Sequence, residues 1–137
     1  MQRFAQHWQD EADAAYLYRI LADREPDPAR RDIYRRLAAV EDRHVEVWGR
    51  VLAEREQGPR SFRPSTRARL LAFLGRTFGS GFLLPMLLVE EGREVKGYLD
   101  LHRTTRPGGA GHAEALTLAR ESAEHATTLA GISGRGG

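Results

Sequence analysis

Apolar residues recur at helical spacing through most of the chain, and no segment alternates with a period of two. The first stretch covers about 2–24, with Phe4, Trp8, Ala15, Tyr18 and Leu21 on one face. Glu25-Pro26-Asp27-Pro28 stops it, and Asp27 before Pro28 reads as an N-cap followed by proline at the first helical position. A second helix is predicted over about 28–56, ending near Gly58-Pro59. Ser65 caps a short helix, about 66–77, that carries Leu70, Leu71, Leu74 and Phe78, and Gly79-Ser80-Gly81 breaks it. A long helix follows over about 82–103, with Pro85 tolerated in its first turn. Pro107-Gly108-Gly109 marks a loop, and the last helix runs over about 112–131. The glycine-rich tail, 132–137, has little to pack and is expected to be flexible. Four long helices joined by breakers predict an all-α, four-helix bundle over 1–131, with the short helix inserted between helices two and three.

Polar residues interrupt the apolar stripes. The second helix reads Ile33, Leu37, Val40, Glu41, His44, Val47, Trp48, Val51, so Glu41 and His44 stand where leucine is expected. Two groups three residues apart share a helix face, and an ionised carboxylate is costly to bury unless it is paired or bound to a cation. The anomaly repeats. Glu11 follows Trp8 and precedes Tyr18 on the first helix. Glu91 extends the row Leu84, Leu87, Leu88, with Glu94 one turn along and Val95, Tyr98 and Leu101 beyond. In the last helix the stripe reads Leu118, Glu121, His125, Leu129, Ile132, with Glu124 at its edge.

Any one of these has an ordinary explanation. A lone Glu in a stripe usually snorkels to water, and a lone core His usually meets a backbone carbonyl. Convergence of several carboxylates without cations repels strongly in a low-dielectric core, whereas two divalent ions remove the conflict. Oxygen ligands with one or two imidazoles suit iron or manganese, with zinc as a competitor. Tyr18 and Tyr98 lie two turns from Glu11 and Glu91 and are candidates to hydrogen-bond a ligand from behind. His7, His102 and His112 have no convincing partner in the sequence and read as surface residues.

Composition narrows the chemistry. The chain has 137 residues, suiting one domain, and no cysteine, which excludes disulfides, thiolate metal sites and a cysteine nucleophile. All but one of its 21 basic residues are arginine, Lys96 being the exception, and the net charge is only +2. Arginines cluster at Arg30, Arg31, Arg35, Arg36 and at Arg60, Arg63, Arg67, Arg69. They alternate with Asp, Glu or turn residues, which reads as solvated helix faces and not as a nucleic-acid surface. The run Phe82 to Val89 is far short of the ~20 residues that span a bilayer, and Met1-Gln2-Arg3-Phe4 has no signal-peptide design. A soluble, cytoplasmic protein is expected.

One Glu, then Glu-x-x-His, then Glu, then a second Glu/His cluster, each on its own helix, resembles the ferritin-like di-iron bundles. Glu91-Gly92-Arg93-Glu94 is similar to the Glu-x-x-Glu of rubrerythrin-like domains. Further likeness, to the cytosolic N-terminal domain of the vacuolar iron transporter family and its membrane-bound ferritins, is carried by four segments. These are His7-Trp8-Gln9-Asp10-Glu11, Glu41 to His44, Val89 to Val95, and Ala119-Arg120-Glu121-Ser122-Ala123-Glu124-His125. The last cluster departs from the family's pattern, because it reads Glu121-x-x-Glu124-His125, which leaves Glu124 and His125 as competing ligands.

The resemblance implies two iron ions, with manganese or zinc as substitutes, held by Glu11, Glu41, His44, Glu91, Glu94, Glu121 and either Glu124 or His125. It implies capture of Fe(II) on the cytosolic side in support of iron transport or detoxification, with ferroxidase activity and no catalytic residue beyond the metal ligands. Fe(II) with O2 or H2O2 are the expected reactants. A homodimer and a membrane transporter domain in the parent chain are expected partners, the tail being the link to that domain. The alternatives are a standalone rubrerythrin-like peroxidase and a metal-stabilised structural or regulatory module.

Overall fold

The computed structural model describes residues 2–54, 61–109 and 111–135 and is all-α. Five helices follow in order: α1 (Gln2–Arg24), α2 (Pro28–Glu54), α3 (Thr66–Phe78), α4 (Ser80–Thr104) and α5 (His112–Arg135). No strand occurs among the described residues. The expected end of the second helix near Gly58-Pro59 lies outside them. The chain forms two compact units, residues 1–83 and 84–137.

In the first unit, α1 and α2 are joined by Glu25-Pro26-Asp27 and pair along their lengths. The cap expected at Asp27 is present: its side chain accepts from the Arg30 amide at 3.1 Å and its carbonyl from the Arg31 amide at 2.9 Å. The two helices run antiparallel, because Phe4 and His7 meet Trp48, Glu11 meets His44, and Arg19 meets Asp42. Ala12, Ala14, Ala15 and Ala22 are buried on α1, and small residues let the backbones approach closely. Trp48, Tyr18 and Tyr34 are fully buried and supply most of the large apolar surface, each side chain contributing ~2–3 kcal/mol of transfer free energy.

The short α3 runs parallel to α1, since Asp13 receives the Ser65 amide at 3.1 Å while Arg24 reaches the carbonyl of Arg76. Ser65 caps it, its hydroxyl accepting from the Ala68 amide at 3.1 Å. The buried face of α3 is Ala68, Leu71, Ala72 and Gly75. Leu70 and Phe78, which the sequence pattern assigns to the apolar face, are instead exposed, and Phe73 with them. The break after α3 is the single residue Gly79, whose φ of 91° suits glycine; Ser80 and Gly81 already belong to α4. That earlier start places Pro85 inside the helix, beyond the first turn, where the ring forfeits the bond to the Gly81 carbonyl. Gly81 and Pro85 are both exposed, so water can serve that carbonyl.

The second unit pairs the rest of α4 with α5, again antiparallel: Glu91 meets His125, Glu94 meets Ser122, and His102 meets His112. The connecting loop turns on Gly108 and Gly111, at φ of 81° and 78°. Its core residues include Leu84, Leu87, Tyr98, Leu101, Ala115, Leu118, Ala119, Leu129 and Ile132. α5 continues to Arg135, past the expected end at 131, and buried Ile132 explains the extra turn. Gly136 and Gly137, the end of the expected tail, lie outside the described residues.

Tyr34 is fully buried, and its hydroxyl has no hydrogen-bond partner among the described residues. Burial lifts its phenol above the ordinary value of 10.0; the charge of Glu25 adds to the rise and Arg30 opposes it. The folded state therefore holds this proton more tightly than the unfolded chain. The resulting stability is fully present below about pH 10 and is lost as pH rises through the folded-state value. Tyr34→Phe is expected to flatten the alkaline limb of the pH–stability curve. At pH 7 it should leave stability unchanged or raise it by about 1 kcal/mol, because a buried hydroxyl without a partner is removed. Urea unfolding at the two pH values checks both effects.

Candidate metal centre

Glu11 and His44 lie where α1 and α2 face each other, about four turns from the linker. Both are buried essentially completely, and the His44 Nδ1–H donates to Glu11 Oε2 at 2.6 Å. Glu41, one turn before His44 on α2, is equally buried. One ligand atom from each of Glu11, Glu41 and His44 falls within a sphere where all three are within 4.8 Å of one another. Ligands ~2.1 Å from a shared ion are at most ~4.2 Å apart, so small side-chain adjustments seat a cation among them. Two carboxylates and one imidazole are the donor set that iron, manganese or zinc accepts.

The local sequence places these groups without strain. The Glu41-x-x-His44 spacing displaces the two side chains by one turn on the same face of α2, and α1 brings Glu11 to them through its own stripe. One turn beyond His44, Trp48 is covered by Phe4 and His7, with ring centroids 5.6 and 5.1 Å away and planes within 20° of parallel. This aromatic stack closes the end of the α1–α2 site near the chain's beginning against water. His7 is thus a half-buried neighbour of the site and not a plain surface residue.

The second unit carries a matching set. Glu91 on α4 and His125 on α5 are both buried, with Nδ1 3.5 Å from Oε1. Glu94, one turn further, accepts from the Ser122 hydroxyl at 3.4 Å, and Ser122 is completely buried. Of the two competing residues on α5, His125 shares these surroundings, whereas Glu124 is exposed. Glu121 is half-buried, because the buried line of α5 passes through Leu118, Ser122, His125, Leu129 and Ile132 instead. Ser122 is the polar residue that hydrophobic patterning passes over. Its signal is its place in that four-three-four-three spacing.

Tyr18 and Tyr98 are both fully buried, each in the same helix as its Glu and two turns along. His102 and His112 do have partners: their rings stack at 4.1 Å, His102 Nδ1–H donates to the His112 carbonyl at 3.0 Å, and Thr105 Oγ1 lies 3.0 Å from His112 Nδ1. They fasten the α4–α5 loop and lie three turns from Glu91.

No described helix is long and apolar enough to cross a membrane. Buried carboxylate and histidine groups able to hold a metal ion are thus the chemical content of an all-helical chain. Compared with family models, curated proteins and solved structures, the chain finds no match in any of the three.

Proposed function

We propose that this chain is an iron-binding helical domain of the ferritin-like kind, which takes up two Fe(II) ions and oxidises them. The observation that carries the reading is the set Glu11, Glu41 and His44, three buried ligating groups on two helices within 4.8 Å of one another. Surface acids are common without a cation, but two carboxylates removed from water are not, because desolvation opposes their charge. A divalent ion offsets that cost where a second buried acid adds to it. Glu91, Glu94 and His125 repeat the same chemistry on α4 and α5 and are assigned to the second ion, with Glu121 as a further carboxylate.

Iron fits the donor set as well as any divalent ion, and all-oxygen and imidazole ligation favours its ferric state. In the proposed reaction each Fe(II) gives up one electron, and O2 accepts two electrons with two protons to leave hydrogen peroxide. The protein's own part is to fix the ligands, keep water out with the Phe4, His7 and Trp48 stack, and hold a proton between His44 Nδ1 and Glu11 Oε2 until metal takes its place. The homodimer and the fused transporter domain that the resemblance implies belong to the same proposal.

Anaerobic Fe(II) titration of the metal-stripped protein is expected to saturate near two ions per chain. Glu41→Gln should lower that number, and Glu41→Gln with Glu91→Gln should abolish tight binding. On admitting oxygen, the loaded protein should develop ferric absorbance faster than free iron at the same pH. Saturation unaltered by either substitution refutes the site, and binding without accelerated oxidation refutes the ferroxidase.

A further inference from the structure

α3 has two opposite faces, and only one of them is used within its own unit. Ala68, Leu71, Ala72 and Gly75 are buried, and α3 packs on α1. At about 100° per residue, Leu70, Phe73 and Thr77 form a stripe on the far side of the helix. Leu70 is 57% and Phe73 62% exposed. Phe78 and Phe82 extend this apolar surface past Gly79, with ring centroids 6.1 Å apart, and Phe62 is exposed on the segment leading into the helix.

Charge flanks the stripe on both sides. Arg67 projects along one edge and Arg69 and Arg76 along the other, all three exposed. No Asp or Glu occurs anywhere between Glu56 and Glu90, while Arg60, Arg63, Arg67, Arg69 and Arg76 do. Every acidic residue that brings the chain's net charge down to +2 therefore lies elsewhere. The first arginine cluster, by contrast, is interleaved with acid, as in the Asp32–Arg36 pair at 2.7 Å.

We propose that the outer face of α3 is a docking surface for an anionic phospholipid bilayer. Leu70, Phe73, Phe78 and Phe82 enter the acyl boundary, and Arg69 and Arg76 meet the headgroup phosphates. An apolar stripe bordered by cations is the pattern of a helix lying in the plane of a membrane interface. The helix needs no lipid to form, since the Ser65 cap and the Asp13 bond to the Ser65 amide fix its start on α1. It presents a preordered surface. A second copy of the chain is the poorer occupant. A two-fold contact sets the same patch against itself and brings Arg69 and Arg76 of the two copies together with no acid on α3 itself to separate them. Neutral lipid satisfies the stripe but not its borders. The inference does not depend on the metal site.

Flotation of the whole protein with vesicles tests it. The protein is expected to float with phosphatidylcholine vesicles containing about one-third phosphatidylglycerol, to stay behind with phosphatidylcholine alone, and to be released at about 0.5 M salt. Phe73→Asp, at an exposed position and therefore expected to keep the helical circular dichroism, should lower the partition coefficient at least about tenfold. Arg69→Gln with Arg76→Gln should lower it by a similar factor on anionic vesicles. Absence of flotation with anionic vesicles at low salt overturns the proposal, as does flotation that Phe73→Asp leaves unchanged. A dimer that Phe73→Asp dissociates, in protein that does not float, overturns it in favour of a second copy.

Discussion

Loading the metal-stripped protein with Fe(II) under argon raises its melting temperature by on the order of 10–20 °C, and Glu41→Gln removes most of that shift. The size follows from linkage. An ion that binds only the folded chain, supplied at a thousand times its dissociation constant, adds about 4 kcal/mol, and a domain of this size moves by several degrees per kcal/mol. The sign follows from the site. Glu11 and Glu41 are both buried within reach of His44, and folding without metal must desolvate two neighbouring carboxylates with no cation between them. Differential scanning calorimetry with and without Fe(II), and with Mn(II) and Zn(II) for comparison, reads the effect directly. A shift from all three metals with no oxidation on exposure to air reassigns the chain to a metal-stabilised structural module. No shift from any of them removes metal binding itself.

The α1–α2 cluster is legible in the sequence because its helices bury large residues at strict spacing. Trp8, Tyr18, Leu37, Trp48 and Val51 fix the phase of each stripe, and Glu11, Glu41 and His44 then stand out as intruders. α5 was harder for a physical reason. A buried serine is too small and too polar to register in an apolar pattern, so the pattern selects Glu121 where the fold buries Ser122. α3 misleads in the opposite way. It packs through Leu71 and three small residues, Ala68, Ala72 and Gly75, where close backbone approach replaces large side chains, so Leu70, Phe73 and Phe78 are left outside. Reading Leu70 and Phe78 as core follows from hydrophobicity alone. Their exposure becomes visible only when the partner of α3 is known.

Two further features lay beyond any local pattern. His102 and His112 stack because a loop turning on Gly108 and Gly111 folds α5 back beside α4, and nothing in the neighbourhood of either histidine encodes that closure. His7 meets Trp48 because α1 and α2 are antiparallel in one particular register, set by the three-residue linker and the Asp27 cap. Tertiary contacts of this kind are decided by chain connectivity, whereas the identity of the ligands is decided residue by residue.

Replacing Glu11 by Leu in the metal-free protein is expected to destabilise it by about 3–5 kcal/mol, and adding His44→Leu should restore most of the loss. Glu11 and His44 share a bond of 2.6 Å with almost no access to water, so removing the acid takes from the buried imidazole N–H the acceptor at that distance. Removing both partners takes away the desolvation cost together with the bond, and two leucines fill a comparable volume in a core already rich in them. Urea unfolding of the four proteins of this cycle, all stripped of metal, yields the coupling energy. A coupling near zero means the pair is not a unit in the metal-free fold and that each residue is held by its other neighbours. The same four proteins separate stability from function, because the double variant has no way to hold a cation through α1 and loses its share of the Fe(II) titration however stable it becomes. A protein that folds as well without this pair, and binds less iron, would locate the reason for two polar groups in this core in the ion they hold and not in the fold they interrupt.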